Sequence, residues 1–152
     1  MLTIEKLVLA LHGAVCSKTD MRPVTREVYR NGFEFVATNG HVLAKVEASD
    51  LQPGEACAYQ IDKYKQITRI EAEDRKNEFS QLERVKAARY ATSKEAITHV
   101  NAKYLSIFDK VASKIGVSTN CTMTIYDECM ILKATSSDFK TSFELTIMNL
   151  RK

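Results

Sequence analysis

Two Asn-Gly pairs, Asn31-Gly32 and Asn39-Gly40, lie inside the stretch Val28 to Glu47, a run rich in β-branched and aromatic side chains. Asn-Gly tolerates the positive φ angles of tight hairpin turns, so each pair is a strong local turn signal. Between the pairs, Phe33, Phe35 and Ala37 alternate with Glu34, Val36 and Thr38. After the second pair, Val42, Ala44 and Val46 alternate with Leu43, Lys45 and Glu47. A period of two is that of a strand with one buried face. The stretch predicts a three-stranded meander ending near Ala48.

The flanking sequence predicts helices on either side. Residues 3 to 17 form an amphipathic pattern with Thr3 as N-cap and Ile4, Leu7, Val8, Leu11 and Val15 on one face. Lys18 to Pro23 reads as a loop, and Ser49 to Gly54 as a turn and internal boundary. Ala56 to Ile61 suits a short strand. Asp62 to Arg89 is densely charged, with Ile67 and Ile70 at the spacing of a short helix and Arg75 to Glu78 reading as solvated. Glu95 to Val100 predicts a strand. Asn101 then caps a helix with Tyr104, Leu105, Phe108, Val111, Ala112 and Ile115 on its apolar face, closed by Gly116. Three strands follow, Asn120 to Tyr126, Met130 to Thr135 and Thr141 to Asn149, with turns at Asp127-Glu128 and Ser136 to Asp138.

These elements predict an α+β fold: two helix-plus-three-strand units in a single domain, both helices packed on one face of the sheet. The front half is 1–50, the variable middle 51–94 and the back half 95–152. A chain of 152 residues is long enough to bury a core as one domain. Its net charge of +3 is compatible with nucleic acid without requiring it. Cys16, Cys57, Cys121 and Cys129 have neither zinc-site nor disulfide-framework spacing and read as reduced thiols. Cys121 and Cys129 could face each other on neighbouring strands, although nothing requires it. The apolar run Leu7 to Leu11 is too short for a signal sequence or a membrane span, so the expectation is a cytoplasmic protein. The histidines are His12, His41 and His99, and no phosphate loop or nucleophile elbow accompanies them. The expectation is a non-enzymatic chain with no cofactor and no metal.

Several short segments carry a family resemblance. Val36-Ala37-Thr38-Asn39-Gly40-His41-Val42-Leu43-Ala44 resembles the Val-Ala-Thr-Asp-Gly-His-Arg-Leu-Ala segment of bacterial sliding clamps, the beta subunit of DNA polymerase III. Asn39 stands where the family has Asp, and Val42 where it has Arg. Phe79-Ser80-Gln81-Leu82-Glu83-Arg84-Val85 resembles the Phe-Pro-Asp-Tyr-x-Arg-Val interdomain linker. Asn101-Ala102-Lys103-Tyr104-Leu105 is similar to an Asn-x-x-Tyr-Leu/Val segment of the last clamp domain. The ending Thr146 to Lys152 is similar to Val-Val-Met-Pro-Met-Arg-Leu, with Asn149 in place of Pro. The motifs occur in the family's order and cover about residues 20–48 and 79–152, which implies a clamp reduced to a single domain.

The resemblance implies a pocket for the clamp-binding peptides of DNA polymerases and other replication or repair proteins. Carried over by position, it comprises Thr38, Gly40, His41 and Leu43, then Arg84 and Val85, Asn101 and Tyr104, and Ile147, Met148 and Leu150. On spacing alone each is equally a turn or strand residue. The resemblance further implies non-specific contact with double-stranded DNA if a ring forms, through Lys103, Lys110 and Lys114 on the second helix and Lys6 and Lys18 flanking the first. Family rings contain six domains, so a one-domain chain would act as a homo-oligomer. The function implied is a polymerase processivity factor or peptide-docking platform. The alternative is a regulator that competes for clamp-binding partners, or joins a host clamp, without encircling DNA.

Overall fold

The structure, a computed structural model, describes residues 2–87, 100–126 and 128–149. Its strands are β1 (Val28–Gly32), β2 (Glu34–Thr38), β3 (Val42–Ala48), β4 (Gly54–Ile61), β5 (Ile67–Glu71), β6 (Thr122–Ile125), β7 (Cys129–Thr135) and β8 (Thr141–Met148). They form one antiparallel sheet in the order β5-β4-β1-β2-β3-β8-β7-β6. The helices are α1 (Ile4–Ala14), α2 (Pro23–Arg26), α3 (Lys76–Ala87) and α4 (Leu105–Ile115).

The meander forms as expected, with a turn at each Asn-Gly pair and positive φ at Gly32 and Gly40. The sheet, however, is covered on both faces. On one face Phe35, Ala37, Val42, Ala44, Val46, Phe143, Leu145 and Ile147 join Leu7, Val8 and Leu11 of α1 and Ile107, Phe108, Val111 and Ile115 of α4. Phe108 stacks on Phe143 with ring centroids 4.9 Å apart. Each such side chain, fully buried, contributes about 1.5–3 kcal/mol. On the opposite face Tyr29, Val36, Leu43 and Ala58 pack with Val24 of α2 and Leu82 of α3. Val36 and Leu43 therefore do not face solvent, as single-faced alternation implied. Past β3 this second face turns polar: Lys45, Glu144 and Lys133 lie in register, with Glu144 Oε2 3.9 and 3.7 Å from the two ammonium groups.

Both long helices start as expected. Thr3 Oγ1 accepts a hydrogen bond from Lys6 N at 3.1 Å, and α1 ends at Ala14 rather than near residue 17. Asn101 Oδ1 accepts from Lys103 N at 3.1 Å, opening a 3-10 turn over Ala102–Tyr104 that leads into α4. Gly116 closes α4 at φ 78°. Leu105, the first residue of α4, lies at the edge of the buried stripe and is 37% exposed.

The charged middle departs most from expectation. Ile67 and Ile70 lie on β5 and not on a helix, paired with Ile61 and Ala58 of β4. Three apart on a strand, they point to opposite faces, and each packs against a different core. A 3-10 turn over Ala72–Arg75 leads into α3, which covers the second face where no packing element was expected. The short helix α2, which was not expected, starts at the last residue of the expected loop, Pro23. The front half supplies the three expected strands, β4 coincides with the strand expected at Ala56 to Ile61, and β5 is the strand that was not expected. The strand expected at 95–100 lies almost wholly outside the described residues.

All four cysteines are free thiols, with Cys121 exposed and the others buried. Cys121 and Cys129 sit at opposite ends of the β6–β7 hairpin and do not face each other. Burial pushes the Cys16 thiol up to about 12 and that of Cys129 to about 11. Among the described residues, no helix is long and apolar enough to cross a membrane.

His12, in the last turn of α1, is half-buried, and its pKa is lowered first by that burial and then by Lys18 and Arg26. These effects outweigh the attraction of a helix C-terminus for a cation. A depressed folded pKa means that the unfolded chain binds the proton more tightly. Stability linked to this group is therefore complete above about pH 6.5 and is lost as pH falls through the lower folded value. His12→Gln removes that dependence, so the melting-temperature gap between wild type and variant should shrink from pH 7.5 to pH 5. A gap constant across that range contradicts the assignment.

Candidate functional site

The turn between β2 and β3 is braced by its own side chains. Thr38 Oγ1 donates to Val42 O at 2.6 Å and accepts from Gly40 N at 3.1 Å. Asn39 Oδ1 accepts from His41 N and Val42 N at 2.8 and 2.9 Å. An amide oxygen does this work as a carboxylate would. Beside the turn, Arg22 is fixed by Asp20 through contacts of 2.6 to 3.2 Å, and the guanidinium holds the Asp20 carboxyl down to about 2.

Next to this turn, on the second face of the sheet, lies a cavity of about 170 Å³. Its sheet side is Leu43 with Val42, and Thr38, Gly40 and Arg22 form one rim. Val24 and Thr25 of α2 and Gln81, Leu82 and Val85 of α3 form the opposite side, and Met148 at the end of β8 completes it. A cavity of about 150 Å³ takes a benzene-sized group, whereas drug-sized ligands need roughly 300 Å³ or more. This cavity fits one large apolar side chain, and its lining is largely aliphatic.

Five expected pocket residues meet there: Thr38, Gly40, Leu43, Val85 and Met148. The others do not. Ile147 is fully buried in the core beneath α1 and α4, because neighbours on a strand point to opposite faces and Met148 occupies the pocket side. Arg84 is exposed on α3 and absent from the lining. Asn101 is a cap, and Tyr104 stacks on His41, ring centroids 5.7 Å apart and 15° from parallel, away from the cavity. Leu150 lies outside the described residues. Arg22, Val24 and Thr25 lie outside the motifs, and Val42, Gln81 and Leu82 lie within them without being among the expected pocket residues. Phe79, Leu82 and Val85, each three residues from the last, are the one available sequence signal, a stripe down one side of α3.

The wall formed by α3 is fastened at its N-terminal end. The Glu27 carboxylate, with its side chain 3% exposed, accepts from Arg75 Nε at 2.7 Å and Nη2 at 3.0 Å, and from the Tyr29 hydroxyl at 3.1 Å. Glu27 holds the Arg75 guanidinium further above its already high pKa, and burial with this carboxylate raises Tyr29. Phe79 meets Tyr29 edge-on at 5.4 Å.

On the other side of the β2–β3 turn lies a broad open groove of about 620 Å³, where the end of α1 meets the start of α4. Lys18, Lys103 and Lys110 line it, with His41, Tyr104 and Asn39. Lys6 and Lys114 are exposed but lie outside this lining, so the five expected cationic residues do not share one cleft.

Comparisons with protein-family models, with curated proteins and with solved structures give no match.

The ion pair is the feature on which the α3 wall depends. Removing Arg75 leaves a buried carboxylate unpaired, whereas Glu27→Gln leaves a guanidinium that is 20% exposed and can rotate toward water. Arg75→Ala should therefore cost about 3 kcal/mol in urea unfolding and Glu27→Gln less. Equal and negligible costs would show that the pair does not fasten the wall.

Proposed function

We propose that this chain is a sliding-clamp-like docking protein that receives a short peptide by an apolar anchor and performs no catalysis. The observation that carries this reading is the convergence of Thr38, Gly40, Leu43, Val85 and Met148 on one cavity. They come from three separate stretches of the sequence, each similar to a clamp motif. The chemistry suits the role: Met148, Leu43, Leu82 and Val85 offer an adaptable aliphatic wall, and Gln81, Thr38 and Arg22 offer a few polar groups at its edge. The peptide is of the Gln-x-x-Leu-x-Phe type, as found in clamp-binding partners. The α1/α4 side, with its exposed lysines, is the surface for phosphate contact with duplex DNA in a ring.

A second reading is favoured by one feature. Thr38, Gly40, Leu43, Val85 and Met148 reach one cavity from within a single chain. A regulator that captures clamp-binding peptides without encircling DNA needs nothing more.

Two measurements test these readings. In a fluorescence-anisotropy titration, Val85→Ala with Met148→Ala should weaken a Gln-x-x-Leu-x-Phe peptide about ten- to a hundredfold, as loss of a buried anchor contact does, with a nearly unchanged melting temperature. Wild type that shows no binding at high micromolar concentration sinks the docking reading. Light scattering separates the two modes of action. The ring requires self-association, for which β5 and β6 are the sheet edges among the described residues and β6 carries the exposed Met123 and Ile125. A strict monomer at high concentration excludes the autonomous ring and leaves the regulator.

A further inference from the structure

We propose that the peptide seated in the apolar cavity carries acidic residues on one flank, and that this flank crosses the β2–β3 turn to be held by Lys18, Lys103 and Lys110. The inference rests on the docking reading and adds the chemistry of the partner beyond its anchor.

The cavity and the basic groove are two sides of one divide. Thr38 and Gly40 line the cavity, whereas Asn39 and His41 line the groove. The neighbouring loop is split likewise, with Arg22 at the cavity rim and Asp20 in the groove. Gly40 is exposed and has no side chain, and the Arg22 guanidinium lies beside it, 3.6 Å from where a Cβ would sit, so a chain crossing here meets a cation at the cavity rim. An extended residue advances about 3.3 Å, so a few residues pass around the turn from anchor to groove.

The groove is charged for such a chain. Lys18, Lys103 and Lys110 are exposed, and among the described residues none is engaged in an ion pair. The single carboxylate in the lining, Asp20, is occupied by Arg22 at 2.6 Å. Three ammonium groups around one cleft repel each other and gain from a polyacidic ligand. The stacked His41 and Tyr104 rings, with Lys103 Nζ 5.1 Å from the Tyr104 centroid, form a flat platform between the turn and the lysines. An open cleft of 620 Å³ holds several residues of an extended peptide.

The test uses three peptides with the same Gln-x-x-Leu-x-Phe anchor: one with three Asp before it, one with three Asp after it, and one with Asn in both places. Each is titrated onto wild type and onto a Lys18→Gln, Lys103→Gln, Lys110→Gln triple variant, at low and at moderate salt. On wild type, one acidic peptide should bind about tenfold more tightly than the Asn peptide, and the gain should shrink with salt and vanish in the variant. Equal gains from the two acidic peptides would show attraction by net charge alone and overturn the proposal. So would an unchanged preference in the variant, or a variant that loses only binding of duplex DNA. If the Asn peptide binds and neither acidic peptide improves on it, the docking reading stands and this inference falls. If none of the three binds, both fall.

Discussion

The pairing of β3 with β8 is the constraint on which the rest of the molecule depends. It runs unbroken from Val42↔Ile147 to Ala48↔Thr141 and joins two segments about a hundred residues apart into one sheet. Because side chains alternate along a strand, this register fixes which residues of the second half face the long helices. It sets Phe143, Leu145 and Ile147 in line with Val46, Ala44 and Val42, and the resulting surface is the floor for α1 and α4 together. A slip of one residue would turn those three side chains to the opposite face and bring Glu144 and Thr146 under the helices. Burial of an uncompensated carboxylate there costs several kcal/mol, so the register has no near competitor.

The same ladder creates the candidate pocket. It carries Met148 to the turn, where Met148 N donates to His41 O at 2.9 Å. The two faces of the sheet are specialised as a result. One is closed by a continuous apolar core between the long helices. The other is half closed, by α2 and α3 over β1 and β2, and half polar over β8 and β7. The cavity lies where the cover ends. The buried ion pair between Glu27 and Arg75 contributes position rather than net stability: one carboxylate with three donors admits a single placement of the α3 N-terminus.

What was legible in the sequence follows from how local each signal was. The Asn-Gly turns, the Thr3 and Asn101 caps and Gly116 act within a few residues, and the elements they bound appear close to the expected positions. β5 was not legible, because an isoleucine pair three apart serves a helix face or both faces of a covered strand equally well. α3 was obscured by its charges, which leave only Phe79, Leu82 and Val85 to mark its inner stripe. Within the pocket, the turn residues and Met148 were legible through motif resemblance. Arg22, Val24 and Thr25 were not, since their nearness to the turn is a tertiary fact. Of Ile147 and Met148, the two-residue period of the strand sends the first into the core beneath α1 and α4 and leaves the second at the cavity.

The cavity draws its walls from four places along the chain: residues 22–25, the β2–β3 turn, α3 and the end of β8. No local fragment contains more than a part of it, so it exists only when β8 has paired with β3 and α2 and α3 have packed on the sheet. Any ligand that fills it binds the native state and has nothing comparable to hold in the unfolded chain. By mass action, occupancy at a hundred times the dissociation constant would then add about 2.7 kcal/mol to the stability of the entire domain. A partner that docks here would decide how much of the protein is folded as well as where it is found.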